Sequence, residues 1–261
     1  SVSVQRQFEP AILLAETIRK AGIDAKLVLG GSYVSEIYDS EWLEDEVVKC
    51  FDYVVRYEGE DAIHKLLLNL EGECPLDEIP NLLYMRDGKR VENARDRIRD
   101  INTLAPPDYD DLPLNLYLDR PVRLPVMGNR GCYWAKCTFC AHFWSLGVGK
   151  MRDRSAERLV SDMRTLQEKH GVRSFFFTDD SMYPPTLAGL CELIPESGLD
   201  AKWAGMIRFE ESLDLEFLRR MKLAGCYTLM FGLESMSQHV QDIIKKGTEV
   251  KTVWRILRDC K

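Results

Sequence analysis

From residue 122 onward, the sequence repeats one pattern: a short apolar run followed by a longer segment with apolar residues at helical spacing. The apolar runs predict four strands, within VRLPVMGN, VRSFFFTDD, AKWAGMIRFE and CYTLMFGLES. A helix is predicted after each strand; the first of them is expected to have Ser155 as its N-cap and to end at Gly171. Four β/α units of this kind close into a full or partial β/α barrel, whose active site lies at the carboxyl ends of its strands.

Chemically active residues follow these strands. Three cysteines come after the first strand, two acids after the second, an arginine and an acid at the third, and an acid and a hydroxyl after the fourth: Cys132, Cys137, Cys140, Asp179, Asp180, Arg208, Glu210, Glu234 and Ser235. Taken singly, paired acids usually begin a helix, and an arginine usually makes a surface ion pair. Together on one predicted rim, they indicate an active site.

The three cysteines have the spacing C-x4-C-x2-C, which favours a metal centre with one open coordination position. A structural zinc site needs four ligands, and the nearest fourth candidate, His142, lies at an awkward spacing. A disulfide would leave one thiol unpaired. A four-iron cluster held by three thiolates keeps one iron open to a small molecule, so we favour the cluster over zinc. The remaining cysteines are expected to be ordinary buried or surface residues.

The segment RGCYWAKCTFC resembles the cluster motif of the radical S-adenosylmethionine (SAM) superfamily, with Phe139 as the usual aromatic residue before the third cysteine. The usual spacing there is C-x3-C-x2-C, so this chain has one extra residue between Cys132 and Cys137. The resemblance covers about residues 122–260 and implies a [4Fe-4S] cluster that cleaves SAM reductively. It also implies SAM ligands: Asp179 and Asp180 for the methionine amine, Arg208 for its carboxylate, and Glu234 and Ser235 for the ribose.

The first hundred residues also alternate strand and helix patterns, with a helix over 8–21 and strands within DAKLVLGG and FDYVVRYEGED. This alternation predicts an open parallel sheet with helices on both faces. The region resembles the flavodoxin-like (Rossmann-like) cobalamin-binding domain that precedes some radical SAM cores. The resemblance assigns cobalamin contacts to Ser1, Ser3, Gly30, Gly31, Glu58 and Gly59, and Tyr57 stands where that family often has glycine. Small residues at the carboxyl ends of such strands would give the cobalamin tail access to the backbone.

These patterns predict three regions: a partial cobalamin-binding domain over 1–100, a Pro/Asp-rich linker over 101–121, and a radical SAM core over 122–261. The core is expected to be a (β/α)6 barrel cut after its fourth unit. SVSVQ reads as the end of a strand whose start is absent, so the chain is expected to be a fragment.

The predicted function is that of a cobalamin-dependent radical SAM methyltransferase acting on an unactivated carbon or phosphorus atom. Its expected partners are a small-molecule or peptide substrate and a flavodoxin or ferredoxin as electron donor. The alternatives are a radical SAM enzyme with another outcome (cyclisation, rearrangement or methylthiolation) and a non-catalytic iron–sulfur or zinc protein.

The composition of the chain bears on its partners and on its location in the cell. The net charge of −7, without a basic stripe, argues against nucleic acid as a partner. Apolar runs are too short to span a membrane. The cysteines outside the cluster motif show no pairing pattern, which favours the reducing cytoplasm.

Overall fold

The computed structural model describes residues 1–39, 41–140 and 151–261, so His142 lies outside the described residues. The described chain divides after Ile98 into two compact units, which we call the amino-terminal unit and the carboxyl-terminal unit.

The amino-terminal unit contains a four-stranded sheet in the order β1-β2-β3-β4. Its elements are α1 (Phe8–Lys20), β1 (Val28–Gly30), α2 (Ser32–Asp39), α3 (Asp45–Val48), β2 (Tyr53–Val55), α4 (Glu60–Leu70), β3 (Leu82–Arg86) and β4 (Lys89–Glu92). Side chains alternate between the two faces of the sheet. Val54 and Leu83 join one buried cluster with residues of α2 and α3, while Val55 and Leu82 join another with residues of α4. Helices therefore cover both faces, as predicted.

The prediction of a parallel sheet is wrong for two of the three strand pairs in this unit. Strands β1 and β2 are parallel, but β3 pairs antiparallel with both β2 and β4. The turn between β3 and β4 consists of Asp87 and Gly88, with φ angles of 51° and 75°. Two left-handed residues match the twist of a tight hairpin, and Asp-Gly is a strong sequence signal for that turn. The Asp-Gly dipeptide that follows the apolar run LLYM is therefore a local signal for this hairpin, which the strand–helix alternation does not indicate.

Tyr57, in the loop after β2, has a φ of 60°, a left-handed conformation that is unusual for an aromatic residue. Three interactions hold it there. Its backbone N–H donates to Ser35 Oγ at 2.7 Å, and its hydroxyl donates to Asp39. The guanidinium carbon of Arg95 lies 4.0 Å from the centre of its ring. Side-chain contacts thus impose a backbone conformation that glycine would adopt unaided.

The carboxyl-terminal unit contains four parallel strands in the order β5-β8-β9-β10, so that chain order equals spatial order. Its elements are β5 (Arg123–Val126), β6 (Asn129–Arg130), β7 (Arg152–Asp153), α5 (Ala156–His170), β8 (Ser174–Phe177), α6 (Pro184–Glu196), β9 (Lys202–Ile207), α7 (Leu215–Leu223), β10 (Cys226–Phe231), α8 (Gln238–Ile243) and α9 (Val250–Asp259). The four predicted strands and the helices between them are confirmed. None of the helices in the described part of the chain has the length and apolar character needed to cross a bilayer.

Local signals set the helix ends in this unit. Ser155 Oγ accepts a hydrogen bond from the Arg158 N–H at 3.2 Å at the start of α5, and Gly171 ends that helix with a φ of 66°. The core between helices and sheet contains the fully buried rings of Phe175, Phe177 and Trp203. The Trp203 indole N–H donates to the Ala224 carbonyl at 2.8 Å, so its polar atom is satisfied inside the core.

The predicted linker lies within the carboxyl-terminal unit and packs against the rest of that unit through polar contacts. The Tyr109 hydroxyl donates to the Pro125 carbonyl at 2.7 Å. The buried Arg154 donates to the carbonyls of Leu104 and Ala105, at 3.1 and 3.3 Å, and forms an ion pair with buried Asp162. One buried guanidinium therefore holds the linker backbone against α5.

We expect Asp162→Ala to lower the free energy of unfolding by about 3–5 kcal/mol, because it leaves Arg154 buried without its countercharge. Urea unfolding followed by circular dichroism measures this loss. The surface pair of Asp110 with Lys169 supplies a control, and Asp110→Ala should change stability by about 0–1 kcal/mol. Equal losses for the two variants would contradict a structural role for the buried pair.

Candidate active site

The carboxyl ends of the four parallel strands carry the predicted site residues. The loop after β5 leads through Gly128 to the cysteines, Asp179 follows β8, Arg208 follows β9 and Glu234 follows β10. Parallel pairing therefore brings four distant parts of the sequence to one edge of the sheet.

Asp179 is buried and holds the start of the cysteine loop. Its Oδ1 accepts hydrogen bonds from the backbone N–H groups of Gly128 and Asn129, at 2.6 and 3.0 Å. Its Oδ2 accepts from the Asn129 amide at 3.0 Å, and that amide also donates to the Ser181 carbonyl. Burial raises the pKa of Asp179 to about 7, although the two backbone hydrogen bonds oppose this rise. Asp180, in contrast, is exposed.

The three motif cysteines are partly buried thiols that form no disulfide. Burial raises the pKa of the Cys137 thiol. The charges of Lys246 and Arg208 oppose this rise, and the neighbouring Cys140 and Cys132 reinforce it. The two positive charges therefore oppose the effect of burial on the Cys137 thiol without cancelling it.

Among the described residues, no three His, Cys, Asp or Glu side chains converge on a point that could hold one metal ion. A four-iron cluster does not need such convergence, because each thiolate binds a different iron. The donor set of three thiols beside two cations fits a cluster, since positive charge stabilises thiolates.

Arg208 is buried, at 5% exposure, and is linked twice to the cysteine loop. Its guanidinium carbon lies 4.4 Å from the centre of the Trp134 ring. Its Nε lies 3.3 Å from Glu210 Oε1, which also accepts a hydrogen bond from the Tyr133 hydroxyl at 2.6 Å. A third contact runs from its Nη2 to the Lys246 carbonyl. Arg208 is therefore a buried element of the rim and not a surface ion-pair partner.

Glu234 and Ser235 form a turn after β10. Glu234 has a φ of 63°, and its carboxylate lies 3.1 Å from the Lys246 ammonium. The Ser235 hydroxyl accepts a hydrogen bond from the Ser237 N–H at 3.1 Å. The buried Gln241 amide donates hydrogen bonds to the carbonyls of Leu233 and Ser235, and these bonds fix the turn.

Lys246 is the site residue that sequence reasoning missed. Its side chain is nearly buried, and its ammonium lies 3.1 Å from Glu234 and 5.6 Å from the centre of the Phe139 ring. A Cβ added at Gly232 would lie 2.9 Å from this ammonium, so the glycine makes room for the charge. The sequence IIKKG resembles an ordinary helix end with surface lysines, and no local signal marks the second lysine as buried.

The predicted cobalamin residues lie in the amino-terminal unit. The Val2 N–H donates to the Gly30 carbonyl at 2.6 Å, which brings Ser1 and Ser3 beside Gly30 and Gly31. A Cβ added at Gly31 would overlap the Val2 carbonyl, so close packing within the protein accounts for this glycine. The chain itself therefore occupies the Cβ direction at Gly31.

The remaining two predicted cobalamin residues follow β2. The Glu58 carboxylate accepts a hydrogen bond from the Ile98 N–H at 2.7 Å. Gly59 precedes α4, and a Cβ added there would meet only the Val55 side chain, at 3.7 Å. The Cβ direction at Gly59 is therefore not blocked by backbone.

The model of the radical SAM superfamily matches residues 127–261, just over half of the sequence. The chain belongs to the radical SAM superfamily.

Among the curated relatives, two are named methyltransferases and one is named a cyclase. An uncharacterised methyltransferase of Pyrococcus horikoshii is 31% identical over 242 residues, which cover 91% of this chain and 51% of the relative. An anaerobic magnesium-protoporphyrin IX monomethyl ester cyclase of Synechocystis is 24% identical, covering 77% of this chain and 41% of the relative. A cytidylyl-2-hydroxyethylphosphonate methyltransferase of Streptomyces wedmorensis is 30% identical over 138 residues, which cover 50% of this chain and 24% of the relative. The chain spans about half the length, or less, of these relatives.

Solved structures with the same fold include two enzymes. The cobalamin-dependent SAM radical enzyme OxsB, with aqua-cobalamin and SAM bound, has a TM-score of 0.73 and 19% identity, covering 98% of this chain and 37% of OxsB. The radical SAM methyltransferase TsrM from Kitasatospora setae, with cobalamin and a [4Fe-4S] cluster, has a TM-score of 0.73 and 18% identity, covering 97% of this chain and 52% of TsrM. At these identities the likeness shows a shared fold.

We expect Asp179→Asn to remove a pH dependence of stability. Because the folded pKa, about 7, lies above the ordinary 3.8, the stabilisation is present at low pH and is lost as the pH rises through 7. The stability of the unmodified protein relative to the variant should fall by up to about 1.4 kcal/mol per pH unit between about pH 4 and 7, and then level off. Urea unfolding of both proteins across this range measures the difference. A difference that grows with pH would show that the backbone hydrogen bonds outweigh burial.

Proposed function

We propose that the complete protein is a cobalamin-dependent radical SAM methyltransferase that acts on an unactivated carbon or phosphorus atom of a small-molecule or peptide substrate. The observation that carries this proposal is the rim that joins the cysteine loop to Arg208, Glu234 and Lys246. Two curated relatives named methyltransferases, and the shared fold with OxsB and TsrM, support it.

In this proposal Cys132, Cys137 and Cys140 hold a [4Fe-4S] cluster. When bound, the cluster supplies the electron that cleaves SAM reductively. The protein itself contributes the thiolates, the nearby cations Lys246 and Arg208, and the partial burial of the loop. Because the cations offset the negative charge of the thiolates, they favour the ionised form that binds iron. A flavodoxin or ferredoxin is the proposed source of the electron.

The proposed SAM contacts follow from the family resemblance, and charge complementarity supports them. The carboxylate of Glu234 suits ribose hydroxyls, and Ser235 lies in the same turn. The methionine carboxylate requires a cation, and both Arg208 and Lys246 are buried cations of this rim. For the methionine amine we propose Asp180, which is exposed, together with Asp179, whose oxygens also hold the loop after β5.

Cobalamin is the proposed methyl carrier. Its contacts would be Ser1, Ser3, Gly30, Gly31, Glu58 and Gly59. Gly30 ends β1, Gly31 follows it, and Glu58 and Gly59 follow β2. The parallel pairing of β1 and β2 supports this placement, since ligands of α/β sheets bind at the carboxyl ends of parallel strands. The protein's part is to orient the cofactors and to exclude water.

A radical cyclisation is the second candidate reaction. The similarity to the magnesium-protoporphyrin IX monomethyl ester cyclase favours it, and that relative covers 77% of this chain. A cyclase and a methyltransferase can share every rim residue described above, because both begin with SAM cleavage. Only the products separate them.

Alanine at Cys132, Cys137 or Cys140 should abolish iron binding, because each thiolate is expected to hold a different iron of the cluster. Anaerobic reconstitution of the unmodified chain should give about four iron and four sulfide per chain. Cys50→Ala is the matched control, since Cys50 is also partly buried but lies in the amino-terminal unit, and should leave iron content unchanged. Stoichiometric zinc in the unmodified protein would contradict the cluster.

Methyl transfer by the complete enzyme should yield 5′-deoxyadenosine and S-adenosylhomocysteine in equal amounts. Each turnover would consume two SAM molecules, one as the radical source and one as the methyl donor. Chromatography of both products during substrate-dependent turnover measures the ratio. Deoxyadenosine without stoichiometric S-adenosylhomocysteine would support the cyclisation instead.

A further inference from the structure

The cysteine loop is fastened to a turn that follows α8, which we call the clamp turn (residues 244–247). The Thr138 N–H donates to the Ile244 carbonyl at 3.0 Å. The Trp134 indole N–H donates to the Lys245 carbonyl at 2.8 Å. These two hydrogen bonds lie on either side of Cys137, so the clamp turn holds the loop at both flanks of its central cysteine.

The ring of Trp134 packs on Gly247 so closely that no other residue fits there. Gly247 has a φ of 68°, and a Cβ added to it would overlap the Cζ2 and Cη2 atoms of Trp134. The glycine is therefore needed twice, once for its left-handed backbone and once for the space that the indole occupies.

Arg208 joins both partners of this contact. Its guanidinium carbon lies 4.4 Å from the centre of the Trp134 ring, within the range of a cation–π interaction. The same guanidinium donates to the carbonyl of Lys246 in the clamp turn. Because Arg208 is buried on the strand side of the rim, it fixes the tryptophan and the turn relative to the sheet.

The clamp lies where the cysteine motif carries its extra residue. The stretch between Cys132 and Cys137 contains Trp134 and Ala135, and Ala135 has a φ of 49°. A left-handed alanine is uncommon and is maintained only by surrounding contacts. The longer spacing is thus accommodated by a strained kink immediately after the anchored indole.

We propose that Trp134 and Gly247 are positioning residues for the iron–sulfur cluster: the indole seated on Gly247 locks the longer cysteine loop in its ligand-binding conformation. This inference rests on the proposed function, because it assigns the cysteines to a cluster. It goes beyond that function by placing a determinant of cluster stability about 110 residues from the motif.

Gly247→Ala tests the clamp, with Gly198→Ala as its matched control. Gly198 has a φ of 65°, and a Cβ added there meets no atom within 4 Å, so alanine meets the same backbone strain without the clash. In the reconstituted protein, Gly247→Ala should raise the rate at which a chelator removes iron by about tenfold, as expected when a local contact is lost. Gly198→Ala should leave that rate unchanged.

A second readout uses the protein before iron is added. The rate of iodoacetamide labelling at Cys137, measured by peptide mass spectrometry relative to Cys50, should rise about tenfold in Gly247→Ala. This readout separates the two hypotheses. If the unmodified chain binds no iron, the proposed function fails, whereas the labelling rates still decide whether the clamp holds the loop.

Trp134→Ala provides the complementary variant if Gly247→Ala does not fold. It removes the indole and should raise both the rate of iron removal by the chelator and the rate of iodoacetamide labelling at Cys137. In the Trp134→Ala background, Gly247→Ala should have no further effect beyond that of Gly198→Ala, because the clash partner is gone. Equal rates for Gly247→Ala and Gly198→Ala in the presence of Trp134 would overturn the clamp.

Discussion

The parallel pairing of β5, β8, β9 and β10 is the constraint on which the candidate site depends. One row of partners runs across all four strands, from Val126 to Phe177, Gly205 and Leu229. Because side chains alternate along a strand, a shift of one residue would turn each row to the opposite face. Correct register therefore aligns the four loops, and it brings the Gly128 N–H to within 2.6 Å of a carboxylate 51 residues away.

Polar contacts, more than apolar packing, fix the loops at this rim. A buried carboxylate fastens the loop after β5, a buried amide fastens the turn after β10, and a buried guanidinium links the cysteine loop to the clamp turn. Each group makes at least two polar contacts inside the protein, as is typical of buried polar groups. Lys246 adds a positive charge close to Cys137. The rim thus combines fixed geometry with two buried cations in a chain whose net charge is −7.

The fold was largely readable from the sequence where local pattern and final structure agree. Strand and helix periods gave the β/α units of residues 122–260, and single residues such as Ser155 and Gly171 gave helix ends, because these signals act within one turn of chain. The β3–β4 hairpin was not predicted, because the strand–helix alternation favours parallel pairing, although Asp87-Gly88 is a local signal for its turn. The cysteine spacing pointed to three ligands. It could not reveal Lys246 or the packing of Trp134 on Gly247, because burial and contact over 110 residues have no local signature.

In the loop after β2, the free-energy cost of the left-handed backbone at Tyr57 is opposed by the contacts of its side chain. A bulky residue in this conformation costs about 1–3 kcal/mol. The hydrogen bond to Asp39 and the cation–π contact with Arg95 each stabilise this conformation by about 1 kcal/mol. The stabilisation by these contacts is therefore similar in size to the backbone cost. Side-chain partners, and not backbone preference, therefore decide the path of the chain at this point. A molecule that bound Asp39 or Arg95 in place of the tyrosine would remove these stabilising contacts. The loop after β2 would then favour a different backbone conformation.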